Sequence, residues 1–470
     1  MAKNTYKLVP LSIFTIFLPF LLIENIPNSN ALSIKLIHRH SLESPFYPGK
    51  ISRNERIRLQ LQSASAYANR LSTTISLYIK ENTSRPTTLI RPKMDNQGLM
   101  YLVQVGFGTF YRYRFHYYKY FLHLDTASDL TWAQCDECRR MGPSSCFLQA
   151  PPLFPARLSL TYRPLLCDRH PFCVPGECIN YICSYQLRYG DGATTLGYLA
   201  YESLTFDSDR NKTETVRNVV FGCGIKNRGF MESSKHNIVA GNFGLGSDKR
   251  SFLRQKESLT HGRFSYCLPL WQVAHNSNIF LRLGDDIPDT KALKSTPLMS
   301  YPDFSAYFVN LKGISVGNRK INIPTRMLVR QNNFDGGCMV DSGSSITILP
   351  PPVYEKLREF LMNNHFLRYK RNRSQGFYNF CYFLPKNKRM NDLPNITFHL
   401  QDSDLVFLPQ VGYVLGRSLG RDYYFCLGII PQSIYGLTII GAMQQANMRF
   451  IFDTVKQRLY FGQEDCALGA

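Results

Sequence analysis

Beyond residue 23 the chain has no apolar run long enough to cross a bilayer as a helix, which excludes a bundle of membrane-spanning helices. No H-E-x-x-H helix occurs, so the common metalloprotease site is excluded too. Acidic residues are scarce, 34 against 55 Lys and Arg, giving a formal net charge of +21. Charged residues of both signs reach only 19%, while hydrophobic residues make up 44%, with 28 Tyr and 32 Phe. That balance excludes a disordered chain and fits a folded, β-rich one. At 470 residues it exceeds one ordinary domain, so two lobes with processed end segments are the starting expectation.

The one long apolar run lies at the start. Lys3 and Lys7 precede LVPLSIFTIFLPFLLI, and Glu24 with a polar stretch leads to the small residue Ala31. This order reads as a secretory signal peptide over 1–31. A membrane anchor is the rival, but Pro10 and Pro19 break the run and it falls short of the ~20 apolar residues a span needs.

Thirteen cysteines in a chain entering an oxidising compartment should mostly pair as disulfides, and their crowding in the first half suggests a stapled insertion there. Zinc is the weaker reading. Cys135 and Cys138 have knuckle spacing, but Cys167, Cys173, Cys178 and Cys183 lack a repeated C-x-x-C and no His pair supports them. The odd count leaves one thiol over, assigned here to Cys338. Sequons at Asn211, Asn372 and Asn395 suit a glycosylated extracellular surface.

The excess positive charge raises nucleic-acid binding, yet it is dispersed. Its densest patches, YRYRFHYYK near 111–119 and RYKRNR near 368–373, match no nucleic-acid module, so none is expected as a partner. In a secreted protein the fitting anionic partner is an acidic cell-wall polysaccharide.

Residues 32–98 are basic and polar, and Ser52 with Glu55 forms a capping box ahead of Ile57, Leu61 and Ala64 at helical spacing. This predicts a removable pro-segment with one helix. From Tyr101 onward, short β-branched and aromatic runs alternate with Gly, Pro, Asn and Asp turns, the mark of an all-β body. Only PVYEKLREFLMNNHF gives an amphipathic helix, with Val353, Leu357, Phe360 and Leu361 on one face.

An internal echo follows. FLHLDTASDLTW around Asp125 and CMVDSGSSITIL around Asp341 share one form, and each is trailed by an apolar-then-Gly element, AGNFGLG and LTIIGAM. Two copies imply a duplicated lobe about a pseudo-twofold axis. Such an axis would bring two strand-end carboxylates together in a low-dielectric cleft, where they share one proton and activate a water without a covalent intermediate. Thr126, Ala127 and Ser128 after the first Asp, and Ser342, Gly343 and Ser344 after the second, supply amides and hydroxyls to hold the pair, with Ser128 and Ser344 donating from outside.

These motifs, with IKLIHRHSLESPFYPG, YGDGATTLGYLAYESLTF, VVFGCG, GRFSYCL, YFVNLKGISVG and IIGAMQQANMRFIFD, resemble the pepsin-type aspartic proteases over essentially everything from residue 32. Within them the chain looks like the plant nepenthesin-type branch. The resemblance implies a bilobal, pepsin-like, all-β fold, with an N-terminal lobe over 99–300 and a C-terminal lobe over 301–470. It implies a monomeric endopeptidase for polypeptides, secreted to the apoplast or held in the vacuole, with no metal or organic cofactor. It makes Tyr189, Gly190, Asp191 and Gly192 a mobile hairpin over the cleft, with Trp132 bonded to the Tyr189 hydroxyl. It also implies pairing of Cys135 with Cys138, Cys146 with Cys223, Cys167 with Cys183, Cys173 with Cys178, Cys267 with Cys466, and Cys381 with Cys426. One departure stands out. Ala127 replaces the Gly of the usual D-T-G-S, which is harmless only if its φ is negative. The alternative class is a silent binder of this fold, as in xylanase-inhibitor-like proteins.

Overall fold

The computed structural model describes residues 32–38 and 101–467, apart from 112–115, 143, 168–169, 190–192, 208–212, 231–236, 271–278, 302–303, 331–335, 373–377, 419–421 and 433–435. The expected signal peptide, the Ser52–Glu55 capping box, Gly190, Asp191, Gly192 and Asn211 lie outside the described residues.

In chain order the first half supplies β1 (Leu32–His38), β2 (Tyr101–Phe107), β3 (Tyr118–Asp125), β4 (Trp132–Gln134), β5 (Ile182–Arg188), β6 (Thr194–Asp207), β7 (Thr213–Arg228), β8 (Val239–Gly244), β9 (Arg263–Cys267) and β10 (Ile279–Leu283). Alternation sets their faces. In β3, Tyr120, Leu122 and Leu124 point to the core while Phe121 and His123 are only half-buried. The second half gives β11 (Phe304–Val309), β12 (Leu311–Val316), β13 (Arg319–Lys320), β14 (Cys338–Val340), β15 (Thr347–Leu349), helix α1 (Pro351–Asn364), β16 (Ile396–Leu400), β17 (Asp404–Phe407), β18 (Thr438–Ile440), β19 (Met448–Asp453) and β20 (Arg458–Gln463). Helix α1 opens on prolines, whose missing N–H groups cost nothing in a first turn. It buries Val353, Tyr354, Leu357 and Leu361 and leaves Phe360 half-buried.

One large sheet runs β20, β19, β9, β10, β1, β2, β3, β8, β4, β7, β6, β5, joining strands from both ends of the chain. β9 packs on β19 through a stacked pair, Phe264 and Phe452, with ring centroids 4.5 Å apart. The Cys267–Cys466 disulfide staples the same junction. β1 lies in the middle of this sheet, antiparallel to both β10 and β2, and buries Ile34 and Leu36 completely. The first residues of the expected pro-segment therefore form a core strand.

The sequence echo becomes one motif used twice. β3 pairs in parallel with β8, Asp125 opposite Gly244, while β4, on the far side of the Asp turn, pairs antiparallel with β8. In the second lobe β14 pairs in parallel with β18, and β15 pairs antiparallel with it. In each lobe the Asp-bearing turn thus wraps around an inserted apolar strand.

All thirteen cysteines are accounted for by six disulfides and the buried thiol of Cys338, which burial holds well above its usual thiol range. Cys267–Cys466 and Cys381–Cys426 join as the resemblance implied. The other four pairings are corrected to Cys135–Cys223, Cys138–Cys146, Cys167–Cys178 and Cys173–Cys183. The physical reason for the first two is sheet register. β4 runs parallel to β7 with Ala133 opposite Cys223, which brings Cys135, two residues on, within 5.4 Å (Cα–Cα) of Cys223. Cys138 sits in the short helical turn Asp136–Met141, left to meet Cys146 at 5.3 Å. In the insertion, Cys178 and Cys183 face one another across a hairpin, and each reaches outward to one of the two remaining sulfurs, Cys167 and Cys173.

Candidate active site

The two Asp turns are locked to each other by hydrogen bonds that cross between the lobes. Thr126 Oγ1 donates to the Val340 carbonyl at 3.4 Å and accepts from the Ser342 amide at 3.0 Å. Ser342 Oγ donates to the Leu124 carbonyl at 3.1 Å. Residues on both sides of Asp125 are thereby tied to residues on both sides of Asp341, the two aspartates that head the joined turns. They are 5% and 0% exposed, respectively, as side chains held at the end of a buried interlock must be.

Each carboxylate accepts the amide two residues on. Ala127 N donates to Asp125 Oδ1 and Gly343 N to Asp341 Oδ1, both at 2.9 Å. Ala127 is absent from the residues with positive φ, so its Cβ is accommodated without left-handed strain and the amide keeps the same distance as in the Gly-bearing copy. The methyl packs against the apolar cluster built around Phe308, Ile346 and Ile439. Ala127→Gly is therefore expected to leave turnover within about threefold of the parent and to lower stability by up to about 1 kcal/mol. Parallel kinetics and urea melts check this.

Ser128 Oγ donates to Asp125 Oδ2 at 2.6 Å. The expectation that Ser344 does the same for Asp341 is corrected, because its hydroxyl donates instead to the Ile346 carbonyl at 3.0 Å. Here the backbone is pinned, with Ala442 N bonding Ser344 O and Met443 N bonding Ser345 O, so the hydroxyl closes a local turn onto its own chain. Asp125 has a further donor, Asn242 Nδ2, at 3.3 Å.

Beside the pair, the Trp132 indole nitrogen donates to the Tyr189 hydroxyl at 2.5 Å, and both rings pack on Phe230. Tyr189 follows β5, and its amide donates to the Ala193 carbonyl at 2.7 Å, tying the end of β5 to the residue that precedes β6.

Three residues of this region carried little signal in the sequence. Asn242 lies in the quoted AGNFGLG element but reads there as a polar break in an apolar strand. Tyr266 is wholly buried, and its phenol is pushed well above the usual range by desolvation first and by the negative charge of Asp341 second. It donates to Gln445 Oε1 at 2.6 Å, and Gln445 Nε2 in turn donates to Ile440 O beside the second Asp turn. Asp129, one residue past the tetrapeptide, reaches across the lobes to the Ser305 hydroxyl and accepts the Asp248 amide at 2.9 Å.

Burial pushes the Asp129 carboxyl up to about 6, with the nearby Asp248 charge adding to the rise and the Ser305, Asp248 amide and Arg250 contacts opposing it. Because the folded value lies above the unfolded one, its stabilising contribution is complete below about pH 4 and is lost as pH rises through about 6. Asp129→Asn should remove on the order of 2 kcal/mol of the stability difference between pH 4 and pH 7. Urea melts of both proteins at the two pH values measure it.

Among the described residues, the group of His, Cys, Asp and Glu side chains close enough to hold a metal is Cys135, Glu137 and Cys223, and its two sulfurs are joined in a disulfide. Of the sequons, Asn372 turns its side-chain nitrogen into the protein and Asn395 is half-buried. No helix among the described residues is long and apolar enough to cross a membrane.

A duplicated strand–Asp–strand motif, interlocked through Thr126 and Ser342, defines a bilobal pepsin-like protein. The chain belongs to the pepsin-like aspartic protease family. Residues 101–285 match the family described as Xylanase inhibitor N-terminal, and residues 306–463 the one described as Xylanase inhibitor C-terminal. The chain is 32% identical to Aspartyl protease family protein 2 of Arabidopsis thaliana, over 78% of this chain and 71% of that protein. It is 30% identical to aspartic proteinase nepenthesin-1 of Nepenthes gracilis, over 73% and 74%. Its fold resembles the crystal structure of edgp (TM-score 0.62, 20% identity, 81% of this chain and 97% of that one). It also resembles Basic 7S globulin from soybean (TM-score 0.59, 16% identity, 78% and 93%).

Proposed function

We propose that the chain is a secreted aspartic endopeptidase, made with a signal peptide and pro-segment, that hydrolyses polypeptides at acidic pH through Asp125 and Asp341. The observation that supports this reading is the reciprocal interlock of Thr126 with Val340 and Ser342, and of Ser342 with Leu124, which ties the two Asp-bearing turns together. In this reading the two carboxyl groups work as one unit in the reaction.

In the proposed reaction the ionised member takes a proton from a water held between them as that water attacks the scissile carbonyl. The protonated member gives its proton to the carbonyl oxygen, forming a neutral gem-diol. Proton return to the departing nitrogen then breaks the C–N bond, with no covalent enzyme intermediate. Tyr189, held by Trp132, is the polar aromatic that closes over the peptide and excludes water.

The test is cleavage of denatured globin between pH 3 and pH 6 by the purified, processed protein. Cleavage that is blocked by pepstatin supports the reading. Absence of turnover after pro-segment removal, with peptide still bound, favours a binder that has kept the fold and lost the chemistry.

A further inference from the structure

The outer face of the small sheet in the second lobe carries a polar row separate from the acidic pair. This sheet runs β13, β12, β16, β17. Ile314 and Val316 of β12 and Ile396 and Phe398 of β16 are fully buried, so alternation turns Gly313, Ser315, Thr397 and His399 to the opposite face. In register, Ser315 lies opposite Lys320, Gly313 opposite His399, and His399 opposite Asp404. Gly313 has no side chain to fill its position, and the His399 ring leans diagonally across it toward Ser315. His399 Nε2 lies 2.5 Å from Ser315 Oγ, and its Nδ1 lies 2.7 Å from Asp404 Oδ1. A methyl at Gly313 would stand 2.7 Å from Lys320 Cε and 3.3 Å from its Nζ, so the ammonium hangs over the same notch.

We propose that Ser315, His399 and Asp404 form a second, nucleophilic site that accepts the acyl group of a small, activated carboxylic ester. A carboxylate on Nδ1 fixes the tautomer that leaves Nε2 free to accept the serine proton, which is the arrangement an acyl-transfer nucleophile requires. In the step, Ser315 Oγ forms a bond to the ester carbonyl carbon as its proton passes to His399 Nε2. The carbon–alkoxide bond then breaks, and the alcohol leaves carrying that proton. Water next attacks the acyl-serine, giving up a proton to His399, and releases the carboxylic acid with Ser315 restored. Lys320 Nζ is the cation placed to face the oxyanion. Ser315 is only 7% exposed, which restricts the acyl donor to a small one, whereas the His399 and Asp404 side chains are 27% and 49% exposed and open to the water that completes the cycle.

The probe is a short-chain alkyl fluorophosphonate, reacted with the purified full chain near pH 7.5 and mapped by peptide mass spectrometry. The expected result is a phosphonyl adduct on Ser315 that forms at least about a hundredfold faster than on any other serine. It is lost in Ser315→Ala, suppressed in His399→Gln, and unchanged in Asp125→Asn. Hydrolysis of p-nitrophenyl acetate should fall in step. A wild-type adduct map without Ser315, or an adduct formed equally fast in a folded His399→Gln protein, overturns the proposal. The wild-type map decides by itself if the variants fail to fold.

Discussion

Asp125→Asn and Asp341→Asn are each expected to lower kcat on denatured globin by about a thousandfold or more, with thermal midpoints within a few degrees of the parent. The size follows from what is removed. An amide can neither share the proton nor shuttle it, and general acid–base transfer supplies about a hundred- to ten-thousandfold on its own. The fold should survive because the interlock runs through Thr126, Ser342 and backbone carbonyls, not through the carboxylates themselves. The double variant should be no slower than either single one, since both carboxyl groups belong to one proton-sharing unit. Independent, multiplying losses, or substantial turnover by either single variant, would exclude the proposed chemistry.

Ile34→Asp and Leu36→Asp should each destabilise the body by about 4 kcal/mol, because each places a carboxylate at a fully buried aliphatic position, Ile34 opposite Leu281 of β10 and Leu36 between Ile279 of β10 and Val103 of β2. Thermal midpoints should drop by about 5 °C per substitution. β1 comes from the stretch expected to be removed on maturation, and the two statements are compatible only if a cut after it leaves the strand seated in the sheet. A protein cleaved between residues 38 and 101 should then keep its N-terminal fragment through native gel filtration and release it in denaturant. Loss of the fragment with full stability retained would show that β1 is dispensable.

Short β-branched and aromatic runs between turn residues made the β architecture legible, and the repeated Asp tetrapeptide made its duplication legible, because both are written in local patterns. Helix α1 was readable for the same reason, from four apolar positions that fall on one helical face. What local pattern could not carry is pairing between distant segments. The insertion disulfides depend on the register of β4 against β7 and on a hairpin that brings Cys178 opposite Cys183, neither of which spacing encodes. Ser344 shows the limit of the echo. The two turns match in sequence, yet backbone bonds from residues 442 and 443 redirect its hydroxyl. Asn242 and Asp129 escaped notice because their partners, Asp125 Oδ2 and Ser305, are reached only through the fold.

The Trp132–Tyr189 contact also gives the hairpin an optical reporter. The chain has only two tryptophans, Trp132 and Trp271, so Trp271→Phe leaves a single indole whose polar edge is capped by the Tyr189 phenol, which the proposed closure over substrate would move. Its emission should shift to longer wavelength as that edge meets water and return when an inhibitor closes the hairpin, so a fluorimeter could follow lid movement in real time.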